Sequence, residues 1–75
     1  MEEVLRTIIE SLVDNKNAIT IKQRQEEGKD IYTIKIDPKE NGKIIGRQGK
    51  ILKAIKTLSK ALGAKEGKRV EVELG

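Results

Sequence analysis

Gly46-Arg47-Gln48-Gly49 is the segment whose residue types and spacing carry the most legible chemistry. Two glycines three positions apart let a backbone approach a ligand with no Cβ in the way. The apolar periodicity that follows puts this turn at the start of a helix, where unpaired N–H groups attract anions. Arg47 and Lys50 add charge-assisted donors, and Gln48 can donate to phosphate or sugar oxygens. The pattern suits a phosphate backbone. A Walker A loop ending at Gly49-Lys50 would need Gly at position 44 and Ser or Thr at 51, and both are Ile. A dinucleotide G-x-G-x-x-G ending at Gly49 fails at the same position 44. Gly42 to Gly46 also spells G-x-x-x-G, which signifies helix association only inside an apolar membrane segment.

The rest of the composition removes most other chemistry. There is no Cys and no His among the 75 residues, so disulfides, thiol nucleophiles, zinc fingers and the commonest general base are excluded, and no cofactor or metal is expected. Ser11 and Ser59 have no partner base and are assigned no catalysis. A chain this short buries only about 60% of its unfolded surface, which leaves little for an enclosed active site. No enzyme is expected. The longest apolar runs fall far short of the ~20 residues a membrane span needs. The opening Met1-Glu2-Glu3 is acidic where a secretory signal is basic. The expected location is cytoplasmic, with no membrane partner.

Charge is localised. Lys39 to Arg69 holds ten basic residues against two acidic ones, Glu40 and Glu66, while the remainder holds six basic and ten acidic. Such polarity suggests an anionic partner for the basic stretch. The lysines at 53, 56 and 60 also fit a solvated helix face.

The elements that must position this loop follow from periodicity. Val4, Leu5, Ile8, Ile9, Leu12 and Val13 form one helical stripe, so a helix is expected over Glu2 to Val13. Ala18 to Arg24 alternates with period two, with Ile19 and Ile21 inward. Gln25 to Asp30 is polar and contains Gly28. Ile31 to Ile36 is a second β-branched run whose expected core face is Tyr32, Ile34 and Ile36. Asp37-Pro38, with Glu40 third in the turn, closes that strand and starts a helical turn. A short helix, the glycine turn and a longer helix follow, with Ile51, Leu52, Ile55, Leu58 and Leu62 as the expected buried stripe. Gly63 is the expected stop. Val70, Val72 and Leu74 alternate in a last strand. The order α-β-β-α-α-β in a single domain over residues 1–75 predicts an α+β two-layer sandwich: a three-stranded mixed sheet with three helices on one face.

The string Asn41-Gly42-Lys43-Ile44-Ile45-Gly46-Arg47-Gln48-Gly49-Lys50, followed by Ile51 and Ile55, resembles the I-I-G-x-x-G loop of KH domains, which clamps about four nucleotides. The element order is similar to the type II KH arrangement. The length, the acidic first helix, Asp37-Pro38 and the Lys65-to-Val70 segment resemble the bacterial KhpA family of small single-KH proteins. This resemblance implies RNA binding, with Gly46, Arg47, Gln48 and Gly49 as the backbone clamp and Lys43, Lys50 and Lys53 as nearby positive potential. It implies that one of Ile44 and Ile45 lines the base groove while the other anchors the short helix. It further implies a role as an RNA chaperone or post-transcriptional regulator, a second KH protein (KhpB) as partner, and a part in cell shape and cell-wall biogenesis.

With one aromatic residue, Tyr32, the chain cannot build the stacking platforms that give about 1–3 kcal/mol per base. Binding of single-stranded RNA is then expected to be weak and salt-sensitive, which favours a homodimer or a second RNA-binding partner. Two other readings stay open: a protein-interaction module using the aliphatic groove around Ile44 and Ile45, and a single-stranded DNA binder.

Overall fold

A computed structural model describes every residue from Met1 to Gly75. The elements are α1 (Glu2–Glu10), β1 (Thr20–Glu26), β2 (Lys29–Lys35), α2 (Asn41–Ile45), α3 (Lys50–Lys65) and β3 (Arg69–Leu74). Single 3-10 turns occur at Lys16–Ala18 and Pro38–Glu40, and a tight turn closed by Gly49 N–H donating to Gly46 O spans Arg47–Gly49. The sheet order is β1-β2-β3, with β1 antiparallel and β3 parallel to β2. This is the mixed α+β sandwich the sequence predicts.

The hairpin is tighter than expected. Glu27 and Gly28 both take positive φ, 51° and 78°, a two-residue turn whose twist matches the flanking strands. The polar residues read as a loop instead extend the ladder, pairing Gln25 with Asp30 and Glu26 with Lys29. Gln25 donates to Asp30 across it at 2.9 Å. Polarity there marks a solvated strand end.

The core joins Leu5, Ile9 and Val13 to Ile19, Ile21, Tyr32, Ile34, Ile36, Val70 and Val72 of the sheet side, with Ile44 from α2 and Ile55 from α3. Each such aliphatic contributes about 1.5–3 kcal/mol by leaving water. All three helices therefore cover one face. On the opposite face Arg24 bonds Glu26, Thr33 and Glu73, and Lys29 pairs with Glu71. Ile31 alternates onto that outer face yet is buried, a position the expected core omitted.

Four expectations about the helices need correction. α1 ends at Glu10, not Val13, because the Ser11 hydroxyl donates to the Ile8 carbonyl at 2.6 Å and competes for the helix's own acceptors. Val4, assigned to the buried stripe, is exposed. In α3 the buried line is Ile55, Ser59 and Gly63, while Ile51 and Leu58 are exposed and Leu52 and Leu62 half-buried. Small residues face the sheet because α3 packs so closely on β3 that a Cβ at residue 63 would lie 2.5 Å from Val70 Cγ2. The Ser59 hydroxyl is satisfied by the Ile55 carbonyl at 2.7 Å.

Gly63 is consequently not a stop. The helix runs on to Lys65 and closes with Lys68 N–H donating to Gly63 O and Gly67 N–H to Ala64 O. Gly67, at φ +72°, is the left-handed residue of this Schellman closure. No helix is long and apolar enough to cross a membrane.

Candidate nucleic-acid interface

Five residues make too short a helix to hold its own shape, so α2 depends on its ends. Before it, the Asp37 carboxylate caps the Pro38 turn by accepting from Lys39 N–H at 3.1 Å. Within it, Ile44 is fully buried. After it, Gly46 N–H donates to Gly42 O at 2.9 Å, and the chain leaves the helix at φ 72°, ψ −177°, a conformation open to glycine alone. Gln48 (φ 56°, ψ 25°) and Gly49 (φ 73°, ψ 13°) are left-handed, and Lys50 returns to the right-handed region as α3 begins. Such a change of hand curls successive N–H groups toward one concavity, the form of many anion sites. Holding Gln48 left-handed costs about 1 kcal/mol.

The side chains around this turn sort clearly. Arg47, Gln48, Lys50 and Lys53 are exposed, and Gly46 and Gly49 are partly so. Of the two isoleucines, Ile44 anchors α2 and Ile45 is 38% exposed, so Ile45 is the one open to a ligand. Arg47, Lys50 and Lys53 lie outside the ion pairs, which form on the sheet and around Lys43. Lys43 is engaged: its ammonium donates to Asp14 at 2.6 Å and to Glu40 at 3.1 Å. Asp14 first, and then Glu40, hold that ammonium above its ordinary pKa.

The start of α3 is electrostatically unusual. No side chain caps it, its N-cap is Gly49, and its first turn holds no acid, whereas helices favour a Ser, Thr, Asp or Asn cap and acidic first turns. Positive charge is instead concentrated on the positive end of the helix dipole. An anion at this point would relieve that repulsion.

Glu40, expected only as the third residue of the Pro38 turn, makes contacts beside the site that sequence reasoning did not anticipate. It is buried, and its two oxygens accept from Asp14 N–H at 2.6 Å and Asn15 N–H at 3.0 Å. Those two bonds, chiefly the first, hold its carboxyl below the ordinary value of 4.5. One signal was present: Glu40 is one of two acids inside the basic stretch.

This geometry can be set beside known proteins. Two relatives are each 43% identical over 74 residues, covering 99% of both chains: the RNA-binding protein KhpA of Caldanaerobacter subterraneus subsp. tengcongensis and that of Clostridium acetobutylicum. The RNA-binding protein KhpA of Aquifex aeolicus is 35% identical, covering 99% of this chain and 94% of that protein. These relatives are named as binding proteins, not as enzymes. No solved structure matches. A family model described as the KH domain of KhpA and KhpB matches residues 2–74, spanning every element from α1 to β3 and the glycine turn between α2 and α3. The chain thus belongs to the KhpA/KhpB KH-domain family.

Proposed function

We propose that this chain, whose relatives are named RNA-binding proteins, binds single-stranded RNA through the Gly46–Gly49 turn. One observation carries the reading: the uncapped, acid-free start of α3, to which a glycine turn delivers the backbone beside Arg47, Lys50 and Lys53. Phosphate oxygens accept from first-turn N–H groups, Arg47 and Lys50 add charge-assisted bonds, and Gln48 donates to phosphate or sugar. Ile45 offers an aliphatic contact to a base, with Ile44 fixing it from below. Lys43 contributes potential to the extent that phosphate draws it from Asp14 and Glu40. With no aromatic platform, one domain binds weakly, in keeping with a cytoplasmic RNA chaperone or post-transcriptional regulator that works with a second KH protein.

That partnership is the second reading, and it too has an observation behind it. Ile45, Ile51 and Leu58 are exposed on α2 and α3, an apolar surface beside the turn that a second copy or a KhpB-like protein could cover. It predicts a mass that rises with concentration.

The test is binding of a short unstructured fluorescent RNA, and of DNA of the same sequence, to wild type and to an Arg47→Asp, Gln48→Asp double variant. Circular dichroism establishes that both are folded. Asp tolerates the left-handed region, so the variant changes charge and not the turn. Loss of binding in the folded variant supports the clamp. Equal binding would leave only generic attraction to lysines, and preference for DNA would change the ligand.

A further inference from the structure

The geometry points to Glu40 as a positioning residue for the Gly46–Gly49 turn. Its carboxylate pins the segment after α1 to α2, and α2 carries the turn. The inference rests on the RNA-binding reading above.

Glu40 lies 25 and 26 residues from the groups it binds, Asn15 N–H and Asp14 N–H. No other side chain bonds to those two amides. Its own backbone N–H donates to Asp37 O at 2.8 Å, and Asn41, the next residue, begins α2. The carboxylate therefore fixes the helix at its N-cap, one residue before its start, while Ile44 fixes it near its last. With both anchors set, Gly46 can leave the helix at one place only. Loosening the first anchor lets the short helix and the turn sample other orientations, and RNA must then reorder them on binding.

Charge alone predicts the opposite effect. Glu40→Gln removes a negative charge, raises the net charge from +4, and weakens the hold on Lys43, so simple electrostatics makes RNA bind more tightly. Positioning makes it bind less tightly. Asp14→Asn supplies the matched control: it changes charge by the same amount and releases Lys43 from its shorter ion pair, yet leaves both backbone donors to Glu40 in place.

The experiment measures the affinity of a short fluorescent single-stranded RNA for wild type, Glu40→Gln and Asp14→Asn, at a temperature where circular dichroism shows each folded. Wild-type binding that the folded Arg47→Asp, Gln48→Asp variant loses establishes the RNA reading independently; without it, that reading and this one fall together. We expect Asp14→Asn to bind as tightly as wild type or more so. Glu40→Gln should bind about three- to tenfold more weakly, the cost of reordering a few groups, with the amide resonances of Gly46 and Gly49 displaced. Equal or tighter binding by folded Glu40→Gln overturns the proposal. Should that variant not fold, Glu40→Asp keeps the charge and withdraws the carboxylate by one bond: weakened binding supports positioning, and wild-type affinity overturns it. If neither folds, Glu40 serves the fold and not the turn, and the proposal falls.

Discussion

Ile51 fills the space that a Cβ on residue 46 would occupy, with its Cγ1 2.5 Å and its Cδ1 2.8 Å from that position. Loop and helix are thereby interlocked. The turn's backbone lies directly on the first apolar side chain of α3, so the exposed side of Ile51 and the placement of Gly46 are set together.

The two glycines of the turn should respond differently to alanine. Gly49 has open space around its Cβ position and a left-handed backbone, so Gly49→Ala should cost about 1–2 kcal/mol. Gly46→Ala meets a more forbidding backbone, φ 72° with ψ −177°, and also collides with Ile51, adding about 1–3 kcal/mol for overpacking. Thermal unfolding should rank the midpoints wild type, Gly49→Ala, Gly46→Ala in descending order. Equal midpoints for the two variants would mean that the turn relaxes away from both the Gly46 backbone conformation and Ile51.

Gly63 offers a second collision with opposite forces in play. In an unhindered helix Gly→Ala gains about 1 kcal/mol of propensity, but here the new methyl would stand 2.5 Å from Val70 Cγ2 and 3.2 Å from Lys68 O. Overpacking at about 1–3 kcal/mol outweighs the gain. Gly63→Ala should lower the unfolding midpoint, and pairing it with Val70→Ala should cost less than the two single changes added together. A raised midpoint in Gly63→Ala would show that α3 can lift off β3 freely.

The same contact explains what the sequence hid. The element order, the mixed sheet, the burial of Tyr32 and the glycine turn were legible, because periods of two and 3.6 and the Gly and Pro positions mark them without reference to distant residues. The buried line of α3 was not. Hydrophobicity ranks Leu58 above Ser59 and Gly63, whereas close approach to β3 admits only the small residues. Glu40 was hidden for a related reason: its ligands are backbone N–H groups far along the chain, and no side-chain pattern announces them. Within the turn, sequence left Ile44 and Ile45 interchangeable, and packing separates them.

Acid should probe Glu40 directly. Its carboxyl is held below the ordinary value of 4.5 by the Asp14 N–H, then the Asn15 N–H, with Lys43 assisting. A carboxyl whose folded pKa is depressed contributes stability that is complete above its unfolded value and lost as pH falls through the folded one. Denaturant unfolding of wild type should therefore show stability falling as pH drops below 4.5, and Glu40→Gln should fall less steeply over the same range. Lys43 has the opposite sign: raised above 10.5 by Asp14 and then Glu40, it contributes stability that is complete below that value and lost above it. Parallel acid limbs in wild type and Glu40→Gln would show that the carboxylate contributes nothing to folding.

Salt distinguishes the free cations from the engaged one. If Arg47, Lys50 and Lys53 each meet a phosphate, the single-strand slope of about −0.7 per contact predicts roughly 20-fold weaker RNA binding between about 50 and 200 mM salt. Lys50→Met should remove one contact, bringing the loss over that range to about sevenfold. Lys43→Met should change the slope less, because two carboxylates already offset that ammonium and phosphate gains only what it can draw from them. Titrations of the three proteins with one RNA at four salt concentrations decide this. Equal slope changes for Lys43→Met and Lys50→Met would mean that Lys43 leaves Asp14 and Glu40 when RNA arrives, and a slope near zero in wild type would remove phosphate contact from the mechanism altogether.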